Sequence, residues 1–193
     1  MHLMIHGIVF DCDGTLADTM PIHWEAWQEV AGRHRIAFSE ERFYALGGVP
    51  SRQILEMLAG EQGLSINAHA IALEKEHAYL ERLVHVAPIE PVVQVALEHH
   101  GRIPMGVASG GTKPVIEMVL TRLGIRHCFA AVVTSEDVVH QKPAPDIFLE
   151  AARRIGVPPE KCRGYEDTDL GMKAIRAAGM EAIDVRDLLP RRR

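Results

Sequence analysis

The sequence predicts an α/β fold, a Rossmann-like parallel sheet with helices on both faces, plus an inserted all-helical cap domain. Three observations carry that expectation. Short apolar runs rich in β-branched residues recur along the chain and end abruptly at polar or acidic residues. Segments of helical periodicity lie between the later runs, each followed by a glycine suited to capping the last carbonyls. One long stretch breaks this alternation and shows helical periodicity alone.

Met4–Phe10 is the first run and stops at Asp11, as a buried parallel strand would. Similar runs occupy Ile103–Ala108, Ala131–Val133, Cys162–Tyr165 and Ala182–Val185. Helices are expected over Val115–Leu123, Ile147–Ile155 and Leu170–Ala178, before Gly124, Gly156 and Gly179. Thr112 with Pro114, and Pro145 with Asp146, mark two of the starts. Strand and helix in repeated alternation require a parallel sheet covered on both sides.

Residues 17–87 depart from that rhythm. Their apolar side chains fall at helical spacing: Trp24, Trp27, Val30 and Ala31; Ile54, Leu55 and Leu58; Leu73, Leu80, Leu83 and Val84. An insertion of roughly 70 residues between strands must hold structure of its own. Pro88 and Pro91 mark the return to the sheet. The expected organisation is therefore a core of residues 1–16 and 88–193, with a cap over 17–87.

Composition narrows the function classes. A net charge of −5 argues against a sequence-wide attraction to nucleic acid or anionic membrane, so neither is expected as a partner. No apolar run approaches the ~20 residues a membrane span needs, and the first residues lack a signal-peptide run; the cytoplasm is the expected compartment. Cys12, Cys128 and Cys162 show no CxxC spacing, which points to neither a disulfide framework nor a zinc site. His2 and His6 straddle the entry to a strand, where a four-residue spacing forms no helical ligand pair. Arg191, Arg192 and Arg193 read as a solvated tail.

Chemistry-bearing residues gather at the carboxyl ends of the expected strands. Asp11-Cys12-Asp13-Gly14-Thr15 follows the first, Ser109-Gly110-Gly111-Thr112 the second, and Ser135-Glu136-Asp137 the third, with Lys142-Pro143 opening the next helix. Glu166-Asp167-Thr168-Asp169 follows the fourth. Ligands of open α/β sheets bind outside this edge. Carboxylates, a hydroxyl beside free amides and a lysine together match a phosphate with a divalent cation. Asp11, Asp13 and Asp167 offer the hard oxygens Mg²⁺ prefers. Two acids as close as Asp11 and Asp13 have their pKa values driven apart, so one serves as nucleophile and the other moves a proton. Ser109 and the Gly110 amide ahead of a helix form an anion pocket, and Lys142 adds a point charge.

Asp11-Cys12-Asp13-Gly14-Thr15-Leu16-Ala17-Asp18-Thr19, Ala108-Ser109-Gly110, Lys142-Pro143-Ala144-Pro145-Asp146 and Glu166-Asp167 resemble the four motifs of the haloacid dehalogenase (HAD) superfamily. Within it the chain is most similar to the β-phosphoglucomutase-like branch, whose helical cap is inserted after the first motif. The resemblance implies a phosphatase in which Asp11 forms an aspartyl-phosphate and Asp13 is the acid/base. It implies that Ser109, Gly110 and Lys142 hold phosphate. Asp11, the Asp13 backbone carbonyl and Asp167 would hold Mg²⁺, with Glu166 at the ion or just behind it. The implied substrate is a small sugar phosphate of the fructose-1-phosphate or 6-phosphogluconate type, handled by a monomer or weak dimer. His23, Arg52 and Lys75 match cap positions that face substrate in the branch. Where the mutases carry Leu-Lys-Gly, this chain has Leu46-Gly47-Gly48, which favours hydrolysis over mutase activity. The alternatives are a phosphomutase and a catalytically silent sugar-phosphate sensor.

Competing readings of the same residues are structural. Asp11 and Asp13 could cap a turn, Ser109–Thr112 and Glu166-Asp167 could cap helices, and Lys142 could be surface charge. Gly106–Lys113 is nearly a phosphate-binding Walker loop, but Thr112 intrudes before the lysine and Pro114 replaces the needed Ser or Thr. Trp24 and Trp27 are expected in the cap core, and Cys12 is expected to turn inward as a packing residue.

Overall fold

The computed structural model of the chain describes residues 4–189; His2 and Arg191–Arg193, read above, lie outside that range. Along the chain come β1 (Gly7–Phe10), then α1 (Met20–Arg33), α2 (Glu40–Ala45), α3 (Ser51–Gln62), α4 (Ala68–Arg82) and α5 (Glu90–His99). There follow β2 (Met105–Ala108), α6 (Lys113–Arg122), β3 (Ala131–Val133), α7 (Asp146–Ile155), β4 (Cys162–Glu166), α8 (Asp169–Ala177) and β5 (Glu181–Asp184). The chain divides into two compact units, one running to Asp18 and resuming at Ala87, the other Thr19–Val86.

The core unit is built on a five-stranded parallel sheet in the order β3-β2-β1-β4-β5. One face of the central strands turns Val9, Ala108 and Val133 against the apolar side of α7 and onto Ala174 and Ile175 of α8. Ile147, Phe148, Ala151, Ala152 and Ile155 recur at helical spacing, which gives α7 a single buried face. Phe10 points the other way, stacking on Tyr165 at 5.0 Å and meeting Phe129 edge-on at 5.8 Å. Both faces of β1 are thus buried, which explains its unbroken apolar sequence. A side chain at Gly164 would lie 2.8 Å from Ile175, so α8 can sit close on β4 only because that position is glycine.

Three sequence expectations change. β5 begins at Glu181 and is only partly buried, an edge strand whose Glu181 is paired with Arg163 of β4 at 3.0 Å. α5 was expected only as the prolines that close the insertion. It is a helix burying Val92, Val93 and Ala96, and Pro91 lies in its first turn, where a missing N–H costs nothing. In α4 the buried positions are Ile71, Lys75, Ala78 and Tyr79, whereas Leu73 is 59% exposed and Val84, just past the helix, is 57% exposed. Leu73 is two residues from Ile71 and so roughly 200° round the helix from it. Lys75 shares the buried face with Ile71, Ala78 and Tyr79.

In the unit Thr19–Val86, α4 packs against both α1 and α3. Trp24 and Trp27 belong to an aromatic cluster with Phe38 and Phe43, with their ring centroids 5.2–6.1 Å from those of the phenylalanines; Trp27 is a core residue and Trp24 is half-buried beside it. Ser39 and Asn67 start α2 and α4 by accepting from Arg42 N and Ala70 N. No helix among the described residues is long and apolar enough to cross a membrane.

Candidate active site

The backbone beyond β1 folds back on itself. Cys12 carbonyl accepts from the amides of Thr15, Leu16 and Ala17, and Gly14 N–H donates to Ala17 O at 2.8 Å. Gly14 lies at φ +82°, and a Cβ there would come within 2.3 Å of an Asp167 oxygen, so conformation and space both demand glycine. Asp11, at the start of the turn, donates its N–H to Tyr165 O and keeps only 5% of its surface. Asp13 bridges to Ala17 through its backbone. Cys12 is wholly buried, and burial, with Asp13 and Asp11 nearby, pushes its thiol well up; it is a packing residue.

Glu166 ends β4 and Asp167 follows it. Glu166 is 1% exposed, accepts from Thr168 N–H, and lies against Gly171, where an added Cβ would meet its carboxylate at 1.9 Å. The helix-capping role falls to Thr168, which accepts from Gly171 N at 3.1 Å. Asp167 is pinned by the fully buried Thr15, whose hydroxyl donates to Oδ1 at 3.1 Å. Thr15 and Gly171 were not assigned these tasks from the sequence. Only the fold brings residues 152 positions apart into contact.

Lys142 joins the two acidic loops. Its Nζ donates to Asp11 Oδ1 at 2.6 Å and to Glu166 Oε1 at 3.0 Å, with the side chain 7% exposed. It is not surface charge. Burial alone would pull its ammonium down, but the carboxylates of Asp11 and Glu166 outweigh that and hold it above the usual lysine range. Asp11, Glu166 and Asp167 each bring an oxygen within 4.8 Å of the others. Three carboxylates around one ammonium leave an excess of negative charge among hard oxygen donors, and a divalent cation fits that site. With protein groups alone the crowding is costly. Burial chiefly, with Glu166 and Asp167 adding repulsion against the pull of Lys142, raises the Asp11 carboxyl well above its usual range. Burial and then Glu166 push Asp167 up to about 7.

β2 delivers the hydroxyl. Val107 pairs with Phe10, which sets Ser109 at the same sheet edge as Asp11. Ser109 is 1% exposed, and its Oγ accepts from Gly111 N–H at 3.1 Å, with Gly110 exposed beside it. Thr112 makes no side-chain cap for α6; Glu136 instead accepts from Lys113 N–H at 3.0 Å. The acids of the third loop, read above as delivered to the site, are engaged in structure. Asp137 accepts from Thr134 and from Arg154, and Glu136 caps α6.

The expected cap residues part company. His23 and Lys75 come together, with Nζ 2.8 Å from Nδ1. Tyr79 stacks on the His23 ring at 3.8 Å, and Lys75 Nζ lies 5.1 Å from the Tyr79 ring centroid. Arg52 lies on the exposed side of α3 and pairs with Glu56 at 3.3 Å.

Known proteins bear on this geometry. The haloacid dehalogenase-like hydrolase family matches residues 5–179. The chain belongs to that family. It is 42% identical over 180 residues to the fructose-1-phosphate phosphatase YqaB of Escherichia coli, covering 93% of this chain and 96% of that one. It is 30% identical to the β-phosphoglucomutase of Bacillus subtilis, over 93% of this chain and 82% of that one. A crystal structure of β-phosphoglucomutase from Clostridium difficile superposes with a TM-score of 0.84 at 25% identity, covering 94% and 84% of the two chains. This HAD-like hydrolase is therefore an enzyme with β-phosphoglucomutase-like relatives, and its Rossmann-like core is the one that they share.

Proposed function

We propose that this hydrolase is a Mg²⁺-dependent phosphatase that releases phosphate from a small sugar phosphate, of the fructose-1-phosphate or 6-phosphogluconate type, through an aspartyl-phosphate on Asp11. The observation that carries the reading is the grouping of Asp11, Glu166 and Asp167 oxygens within 4.8 Å, with Lys142 bonded to two of them. The likeness to a fructose-1-phosphate phosphatase over nearly all of both chains supports the substrate class.

Asp11, Glu166 and Asp167, with the Asp13 backbone carbonyl, would hold the ion. When bound, Mg²⁺ supplies neutralisation of the phosphoryl oxygens and fixes their orientation. Lys142 grips one oxygen of Asp11 and so sets the direction of the carboxylate. An Asp11 oxygen attacks phosphorus in line, the bond to the sugar oxygen breaks, and Asp13 gives that oxygen its proton. Asp13 then takes a proton from water as the water oxygen attacks phosphorus, freeing phosphate and restoring Asp11. Ser109 hydroxyl, Gly110 N–H and Lys142 hold the phosphoryl oxygens through both steps. Recognition of the sugar is assigned to His23, Lys75 and Arg52. Such an enzyme acts in the cytoplasm on a free metabolite, as a monomer or weak dimer, with no nucleic acid or membrane partner.

A panel of phosphorylated metabolites, assayed for phosphate release with and without Mg²⁺, tests the reading. Mg²⁺-dependent release from hexose or sugar-acid phosphates is expected. Isomer formed without phosphate would make the protein a mutase, and tight binding with no turnover would make it a sensor.

A further inference from the structure

In the third loop, Ser135 is the point where two hydrogen-bonded links meet. Its N–H and its hydroxyl both donate to Gly111 O, at 3.2 and 3.0 Å. Gly111 N–H in turn donates to Ser109 Oγ at 3.1 Å. That bond takes a lone pair of the hydroxyl and directs its hydrogen away from Gly111, toward whatever anion Ser109 meets. On its other side, the Ser135 carbonyl accepts from the side-chain amide of Gln141 at 3.0 Å. Gln141 also takes Ala144 N–H on its own carbonyl at 3.0 Å, which closes the turn around Lys142. A hydrogen-bonded path therefore runs from Ser109 through Gly111 and Ser135 to Gln141, which is peptide-bonded to Lys142.

We infer that Ser135 is a positioning residue that sets the separation of Ser109 and Lys142, and with it the fit of the phosphoryl group. The inference rests on the phosphatase reading, which makes those two residues phosphate contacts. The path reaches the metal-holding acids only through the bonds of Lys142 to Asp11 and Glu166, whereas Thr15 and the Thr168 N–H orient Asp167 and Glu166 independently of it. Loss of the Ser135 hydroxyl should therefore loosen the grip on phosphate more than the grip on the metal.

The test uses the Mg²⁺-loaded enzyme, an aryl phosphate as substrate and inorganic phosphate as competitive inhibitor. Ser135→Ala and Gln141→Ala should each weaken phosphate inhibition about 3- to 10-fold, the effect of one lost neutral hydrogen bond at a site. Half-saturation by Mg²⁺ should move by a smaller factor, and Ser135→Thr, which keeps the hydroxyl, should restore the inhibition constant. Unchanged phosphate inhibition in both alanine variants would overturn the inference while leaving the phosphatase reading in place. So would parallel losses of phosphate affinity, Mg²⁺ affinity and Tm, since that pattern marks general loosening of the fold. A wild-type enzyme that neither cleaves aryl phosphates nor binds inorganic phosphate overturns the phosphatase reading itself, and the role of Ser135 with it.

Discussion

Lys142 in the core unit and Lys75 in the cap unit have nearly the same side-chain exposure, 7% and 4%, and are kept in the interior by different means. Lys142 is bonded to two carboxylates with almost no exposure of their own. Lys75 approaches the Trp27 ring at 5.8 Å and the Tyr79 ring at 5.1 Å, bonds to an imidazole, and has Glu76 at 3.8 Å at its edge. Aromatic faces attract a cation without needing an ionised partner. The difference teaches that burial alone does not rank these lysines. Removing Lys142 strands two buried carboxylates, whereas removing Lys75 takes one bond from an imidazole and leaves Glu76, which still reaches water.

The largest expected effect tests the chemistry of the charged cluster. Asp11→Asn should lower phosphate release by about 10³-fold or more, on the scale at which loss of a nucleophile acts. Its Tm should stay close to wild type, and residual turnover above a hundredth of wild type would remove Asp11 from the reaction.

Next comes the comparison of the lysines. In metal-free protein, Lys142→Met should destabilise by about 3–5 kcal/mol, because two buried carboxylates lose their counter-charge. Lys75→Met should cost less, about 1–3 kcal/mol, because it takes one bond from the His23 imidazole but strands no fully buried carboxylate. Urea unfolding of both variants decides; equal losses would mean that the two environments are energetically alike.

Thr15→Val removes the hydroxyl that orients Asp167 and should raise the Mg²⁺ concentration for half-activity about 10-fold. A variant that loses kcat at saturating Mg²⁺ but not metal affinity would place Thr15 elsewhere in the mechanism.

Stability against pH sharpens the picture of the acidic cluster. Asp167 has a carboxyl raised from 3.8 to about 7 in the folded, metal-free state. Below the lower value both folded and unfolded chains are protonated there. Between the two values the unfolded chain gives up the proton and the folded one keeps it, so stability falls as pH rises, then levels off. Mg²⁺ binds the ionised form, so the Tm gained on adding it should grow from about pH 5 to about pH 8. A gain independent of pH would show that the ion binds away from Asp167. The smallest effect is expected at Arg52. Arg52→Ala should leave Tm unchanged and alter the choice among sugar phosphates more than the rate on an aryl phosphate; equal losses would end its assignment to selectivity.

The alternation of apolar runs and helical segments made the sheet legible, because strands buried on both faces leave few other compositions open to them. Asp11, Lys142, Glu166 and Asp167 were legible for a related reason: strand ends in a parallel sheet meet at one edge, so residues distant in sequence can be placed together from topology alone. α5 was hidden because Pro91 reads as a breaker, although the first turn of a helix tolerates it. The exposure of Leu73 was not legible because periodicity fixes the angle between side chains but not which face a neighbouring helix will cover.

The amino-acid order by itself determined the fold class, the family and the identity of the acids and the lysine at the strand ends. It did so because each depends on local pattern and spacing. Which acids crowd the ammonium, which hydroxyl pins Asp167, and that the Ser135–Asp137 turn braces its neighbours were decided only when the chain folded. Those assignments depend on ångström distances between segments far apart along the chain, and no local pattern encodes such distances.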